Sequence, residues 1–310
     1  MTENKNTLRL ADNEVVIEGI LQEVRLEVRE TKETKEKFIT GDIDIEVGEG
    51  SIHTVSVFSK ALKKDGTENG IFKGLNTVKD EYLSVAKVGR EEADKVRITS
   101  GQLGVNDYVG GDGQLKSYPQ LSTNFINRVG ANEEFEPKAE FEVEMFVHTV
   151  NDEIKNEEET GRVIVKGIVP QFGGRVAPLE FVAAGEGAEY IRDNYEPGST
   201  VRLFGEIVNH VEVKKTEKEV GFGKPKEVVK RKFTREYLIT GGSEPYDEDD
   251  ANSYSMESIQ KAMAEREVFL EGLLAKKKTT NDQPKKEDKK PGFGSKPATD
   301  KKAKKDPLPF

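Results

Sequence analysis

Apolar side chains recur at every second position in one stretch after another of this chain, and only extended strands with one buried face satisfy that spacing. In residues 13–47 the pattern is carried by Val15 and Ile17, by Val24, Leu26 and Val28, and by Ile43, Ile45 and Val47. Residues 54–62 continue it as a third strand, which stops short of the turn signal Asp65-Gly66. The spacing then changes. Ile71, Leu75, Val78, Tyr82 and Val85 recur three or four residues apart, which predicts a helix over residues 70–86. Two further strands, residues 95–108 and 114–129, flank Gly110-Gly111-Asp112-Gly113, a hairpin turn by composition.

Three strands, a helix and a hairpin make the order of an OB barrel, a five-stranded sheet that closes on itself. The same order then restarts, with strands at 139–150, 161–169 and 175–182, a short helix at 188–195, and strands at 200–214 and 227–240. Val96-Arg97 leading to Gly101-Gln102-Leu103 parallels Val201-Arg202 leading to Gly205-Glu206-Ile207, one residue out of step, so one copy needs a bulge. The expected fold is therefore all-β: two tandem OB-fold barrels, each with a short helix, over residues 1–132 and 133–243. An acidic stretch, residues 244–254, reads as a solvated linker. Residues 255–278 follow as an amphipathic helix with Ser255 as N-cap and Met256, Ile259, Met263, Leu270, Leu273 and Leu274 along one side. It packs on the second barrel or serves a partner. From residue 279 to 310 Lys, Pro, Gly and Asp dominate without periodicity, the composition of a disordered tail.

Charge limits the partners of such a chain. Its formal net charge is -10, so phosphate contacts would need a local basic strip on an acidic body. Residues 276–310 hold 12 Lys against 5 Asp or Glu, a net of +7, which leaves -17 for residues 1–275. Within the body one strip stands out. Lys214, Lys215, Lys218, Lys224, Lys226, Lys230, Arg231, Lys232 and Arg235 face only Glu217, Glu219 and Glu227 there, around the apex Gly221-Phe222-Gly223-Lys224-Pro225. An exposed Phe among cations on the loop between the fourth and fifth strands suits base stacking with phosphate neutralisation. A lysine-rich hairpin also serves simply to protect a sheet edge. Lys116 and Tyr118, on the first barrel's hairpin, form a smaller pair of the same kind.

A family resemblance joins these residues. Val55-Ser56-Val57-Phe58-Ser59-Lys60-Ala61-Leu62 resembles the third strand of bacterial and phage single-stranded DNA-binding proteins. Gly101-Gln102-Leu103, with Tyr108 and the Gly-Asp-Gly turn, is similar to their fourth strand and hairpin. The terminal Asp306-Pro307-Leu308-Pro309-Phe310 resembles the acidic, Pro-Phe-ending tip by which that family recruits replication and repair proteins. The resemblance covers residues 13–130 and the tip, and implies a phage-type tandem version. Phe58 and Tyr108 then stack bases, Lys60 lies beside Phe58, and the partner is single-stranded DNA, held without sequence preference for replication, recombination and repair. Two barrels per chain suggest a monomer or homodimer rather than the tetramer typical of that family, and the composition suggests a cytoplasmic protein, in the host cytoplasm if phage-encoded. The residues alone leave Phe58 divided between stacking and core. The chain departs from the family in having no Trp, in placing Ile52 where an aromatic would stack, and in a basic tail.

Other classes find little support. Without Cys there is no disulfide framework, thiolate zinc site or cysteine nucleophile. His53, His148 and His210 are too far apart in sequence to read as a metal site. No phosphate-loop, nucleophile-elbow or zinc-protease motif occurs, so neither an enzyme nor a cofactor is expected. No segment approaches the roughly 18–20 apolar residues of a membrane span, and residues 1–14 lack the apolar stretch of a signal peptide. Two readings compete with DNA binding: a protein-interaction scaffold, whose acidic body repels DNA, and an RNA-binding OB protein.

Overall fold

The computed structural model describes residues 8–218, 222, 226–247 and 249–281. The first set of alternating stretches forms β1 (Asn13–Glu30), β2 (Lys37–Gly48), β3 (Ser51–Lys60), β4 (Lys95–Val109), β5 (Leu115–Ser122) and the short β6 (Asn127–Arg128). β1 pairs antiparallel with β2 and β4, β2 with β3, and β4 with β5, while β3 and β5 close the ring in parallel. The alternation thereby acquires an inside. Ile17, Leu21, Ile39, Ile43, Ile98 and Leu103 all point inward and are fully buried, each contributing about 1.5–3 kcal/mol. Where β2 coils sharply across β1, Gly41 has φ +144° and a Cβ there would lie 2.0 Å from the Arg25 carbonyl oxygen, so only glycine fits.

The helix predicted over 70–86 divides into α1 (Gly70–Glu81) and the single turn α2 (Val85–Val88). Asn69 caps α1 by accepting the Ile71 N–H, and Leu75 and Val78 are buried beneath it. α1 ends where Tyr82 turns inward and donates its hydroxyl hydrogen to the Ile126 carbonyl (3.1 Å), beneath the Arg128 guanidinium at 4.3 Å. The strand expected over 114–129 is broken at 123–126. Thr123 Oγ1 accepts the Phe125 N–H (3.2 Å) in a local turn that buries Ile126 and exposes Phe125.

The second set forms β7 (Lys138–Lys155), β8 (Glu158–Pro170), β9 (Val176–Ala183), α3 (Glu186–Asn194), β10 (Thr200–Lys218) and β11 (Lys226–Gly242). It closes by the same connectivity, with β9 and β11 parallel and every other pair antiparallel. Phe141, Phe181 and Tyr237 cluster in its interior with ring centroids 5.4–5.8 Å apart. The one-residue offset between the copies is a bulge in β4, where three residues of β1, Val15 to Ile17, span four of β4, Gly101 back to Ile98. This mostly-β, OB-like arrangement is one continuous eleven-stranded sheet, because β1 and β7 pair directly from Asn13 with Val143 to Glu18 with Lys138.

Residues 244–254 differ from the solvated linker expected. Asp247, Asp249 and Asp250 are exposed, but the Tyr246 N–H donates to the Thr200 carbonyl (2.9 Å) and Tyr254 is buried with its hydroxyl on Glu144 (3.0 Å). Acidic composition conceals two backbone and aromatic anchors. α4 (Met256–Asn281) runs three residues beyond the expected 278. Ser255 caps it, accepting the Ser258 N–H (3.2 Å), and Ile259 and Ala262 are buried. Met256, expected on the packed side, is half exposed. The helix does not stay on the second barrel: Arg266 donates to Asp107 (2.7 Å) and Ser117 (3.1 Å), and Lys277 to the Val109 carbonyl (2.8 Å), all on the first barrel's β4–β5 hairpin. Residues 282–310, with the tip Asp306 to Phe310, lie outside the described residues. No described helix is long and apolar enough to cross a membrane.

Candidate nucleic-acid interface

A strand that buries every second residue presents the others to solvent. On β2 these are Phe38, Thr40 and Asp42, on β3 Ile52, Thr54, Ser56, Phe58 and Lys60, on β5 Lys116, Tyr118, Gln120 and Ser122, and on β4 Gln102, Asn106 and Tyr108. Register brings them onto one face: Thr40 opposes Phe58, Asp42 opposes Ser56, Tyr108 opposes Lys116 and Gln102 opposes Ser122. An open cleft of about 630 Å³ crosses this face, lined by Phe58, Phe125 and mainly uncharged polar side chains.

Aromatic rings stand in the cleft and farther along the same face. Phe58 is 57% exposed, which excludes the core alternative, and its ring lies 5.7 Å from that of Phe38. Phe125 is exposed beside them. Beyond the cleft lining, farther along β4 and β5 than Gln102 and Gln120, Tyr108 and Tyr118 are both exposed with centroids 6.1 Å apart. Within the cleft Gln120 donates to Ser56 (2.8 Å), which donates to Asp42 (2.6 Å), a chain that holds the floor's hydrogen-bonding groups in place. Outside the cleft, burial alone would raise the Asp44 carboxyl, but Arg25 and Thr54 hold it below the ordinary carboxylate range. Lys60 pairs with Glu36 (3.1 Å) and Lys116 with Asp112 (3.1 Å), so both cations stand at the face with surface partners that a phosphate could replace. His53, one residue from Ile52 but inward, is fully buried, and burial pushes its imidazole down to about 4.

The basic strip projects from the second barrel as the long β10–β11 hairpin. Its register sorts the side chains: Lys214 opposes Lys230 and Glu212 opposes Lys232 on one side, while Val213 opposes Arg231 and Val211 opposes Phe233 on the other. Lys230, Arg231 and Lys232, expected as one patch, therefore split between two faces, because neighbours in a strand alternate. Lys214 is paired with Glu212 (3.1 Å) and Phe222 is 94% exposed. Lys215 and Lys226 lie in the hairpin strands, and Lys224 falls outside the described residues. The hairpin starts beside the first barrel's β2–β3 turn, where the Val211 N–H donates to the Gly50 carbonyl (2.9 Å) and Asn209 to that of Ile52.

Phe38 and Phe125 are not among the residues that the sequence singles out. The two-residue period places Phe38 on the same face as Asp42, so a signal for it exists. Phe125 depends on the turn at Thr123, which no periodicity marks. The second barrel has no equivalent aromatic face among its described residues. In the corresponding positions Arg162 pairs with Glu236 (2.8 Å) and Lys166 with Glu180 (2.9 Å).

The YorF family model matches residues 11–276. No curated protein sequence matches the chain. Among solved structures, a deletion mutant of the single-stranded DNA binding protein from Thermus aquaticus aligns over 78% of this chain and 98% of its own, at 14% identity and a TM-score of 0.45. A replication protein A heterotrimer bound to single-stranded DNA aligns over 86% of this chain and 70% of its own, at 10% identity and a TM-score of 0.22. At such scores, what this chain binds has to be read from its own surface.

Proposed function

We propose that this chain, which belongs to the YorF family, is a non-catalytic protein that binds single-stranded DNA without sequence preference, through two OB-type barrels, in replication or recombination. The observation that carries the reading is the face of β2, β3, β5 and β4, where Phe58 and Phe125 line an open polar cleft, Phe38 stands beside Phe58, and Tyr108 and Tyr118 follow farther along β4 and β5. Aromatic faces stack on any base for about 1–3 kcal/mol each, and the Ser and Gln groups between them offer donors and acceptors to whichever base lies there. Four rings on four strands and a fifth on the turn after β5, on a groove rather than a pocket, suit a flexible polymer of flat rings better than a duplex or a folded protein. The Lys and Arg of the β10–β11 hairpin, rooted at the β2–β3 turn, supply the phosphate contacts that the cleft lacks.

Fluorescence anisotropy of labelled oligo-dT, oligo-rU and duplex DNA at several salt concentrations tests this. Tight, salt-dependent binding of dT over duplex is the expected result. No binding to any of them would leave the scaffold reading, and preference for rU would move the substrate to RNA. Recruitment of replication or recombination proteins by Asp306 to Phe310 is proposed on the sequence of that tip. Deleting Leu308 to Phe310 should abolish capture of such proteins and leave dT affinity unchanged, and a loss of dT affinity would overturn it.

A further inference from the structure

The turn between β8 and β9 is built to hold one aromatic ring in solvent. Phe172 is 79% exposed and is followed by Gly173 (φ +77°) and Gly174 (φ +75°), two consecutive left-handed positions that a side chain would strain. The loop is closed by the Gln171 N–H on the Arg175 carbonyl (2.7 Å), and the exposed Arg175 reaches back with Nε to the Phe172 carbonyl (3.4 Å). This turn belongs to the second barrel but is anchored on the first. Gln171 donates to the Leu103 carbonyl of β4 (3.0 Å), and its amide lies 3.1 Å from where a Cβ of Gly104 would be. Gly104 alternates with Gln102 and Asn106 on the face that carries the cleft, with the Gln120 carbonyl also near it. A bare glycine on β4 thus lets the neighbouring barrel's turn close against the edge of the aromatic face.

The second barrel's own equivalent face offers salt bridges in place of rings. We infer that the two barrels form one composite site, in which Phe172 stacks a base of the strand leaving the β4–β5 face and Arg175 takes an adjacent phosphate. This rests on the single-strand reading above and departs from the picture of two barrels that bind independently. The second barrel then acts as a clamp on the first, and its turn matters only for strands long enough to pass Gly104.

Because the chain has no Trp, Phe172→Trp would introduce the sole indole. Its fluorescence should be quenched by oligo-dT of about 20 nucleotides and not by one of about 6, lengths chosen against the roughly 4–16 nucleotides one OB fold covers. In parallel, Phe172→Ala should weaken the long oligonucleotide by about 5- to 150-fold, the equivalent of one stacked base, and leave the short one unchanged. If the wild type binds dT while the indole is not quenched and Phe172→Ala binds both lengths normally, the composite site is wrong. Failure of the wild type to bind any oligonucleotide would instead remove the reading on which it rests.

Discussion

Phe58 and His53 occupy opposite faces of β3, and their environments separate binding from stability. Phe58 projects into the cleft, 57% exposed with its ring beside that of Phe38, so Phe58→Ala should reduce oligo-dT affinity by about 1–3 kcal/mol while leaving the melting temperature nearly unchanged. Paired titrations and melting curves check this, and a large drop in stability would return Phe58 to a packing role. His53 behaves in the opposite way. Buried and neutral, with its pKa lowered to about 4, it refuses a proton that the unfolded chain accepts below about 6.5. Stability should fall as pH drops through that window, by up to roughly 3 kcal/mol if the whole difference is expressed. His53→Leu should flatten the dependence of the urea midpoint on pH between about 6.5 and 5.5, above the range where carboxylates titrate. An unchanged slope would place the proton-linked group elsewhere. Alternation makes most of the inward and outward sets legible at this scale, but it leaves Phe58 divided between stacking and core until its 57% exposure decides it. What it does not show is Phe125, whose exposure follows from a side-chain hydrogen bond at Thr123.

Strand order is readable from the sequence because both sets repeat the same succession of periods, but the lengths of the elements are not. β10 and β11 extend far beyond their buried residues as a paired ladder down to Lys218 and Lys226, and backbone pairing of that kind leaves no apolar signature. The hairpin's two sides give an element-scale expectation. Replacing Lys230 and Lys232 with Ala removes charge from the lysine side and should make the salt dependence of dT binding shallower by about 0.7 for each phosphate no longer neutralised. Arg231→Ala alone removes charge from the valine and phenylalanine side, so comparing the two salt slopes tells which side the strand follows. Equal and unchanged slopes would exclude the hairpin. The reach of α4 is equally hidden, since a helix's partner depends on where the barrels lie and not on its own pattern. Its Arg266 meets Asp107 with both side chains largely buried. Arg266→Ala should loosen the hairpin that carries Tyr108 and Tyr118, seen as faster amide exchange at β4–β5 with the rest of the first barrel unaffected.

At the scale of the whole molecule the question is whether the two barrels fold as one body. Their sequences advertise two units, yet the β1–β7 ladder makes the sheet continuous and one buried carboxylate ties the remaining pieces to it. Glu144 on β7 accepts both terminal nitrogens of Arg9 (2.7 and 2.8 Å) from the segment before β1, and the hydroxyl of Tyr254 from the segment before α4. Burial by itself would raise the Glu144 carboxyl, but Arg9 and Tyr254 together hold it below the ordinary range. The stabilisation it provides is thus complete above the normal carboxylate pKa and is lost as pH falls through the lowered one. Glu144→Ala removes the Tyr254 hydroxyl's acceptor and leaves Arg9 with backbone carbonyls alone, and should cost about 1–3 kcal/mol, the scale of a buried group left unsatisfied. If the barrels form one cooperative body, as the composite site requires, the whole unfolding curve should shift to lower urea as a single transition. A curve that splits, with only part of its amplitude moving, would show two bodies that unfold separately, and the turn at Phe172 would then be held against the first barrel by too little to act as a clamp.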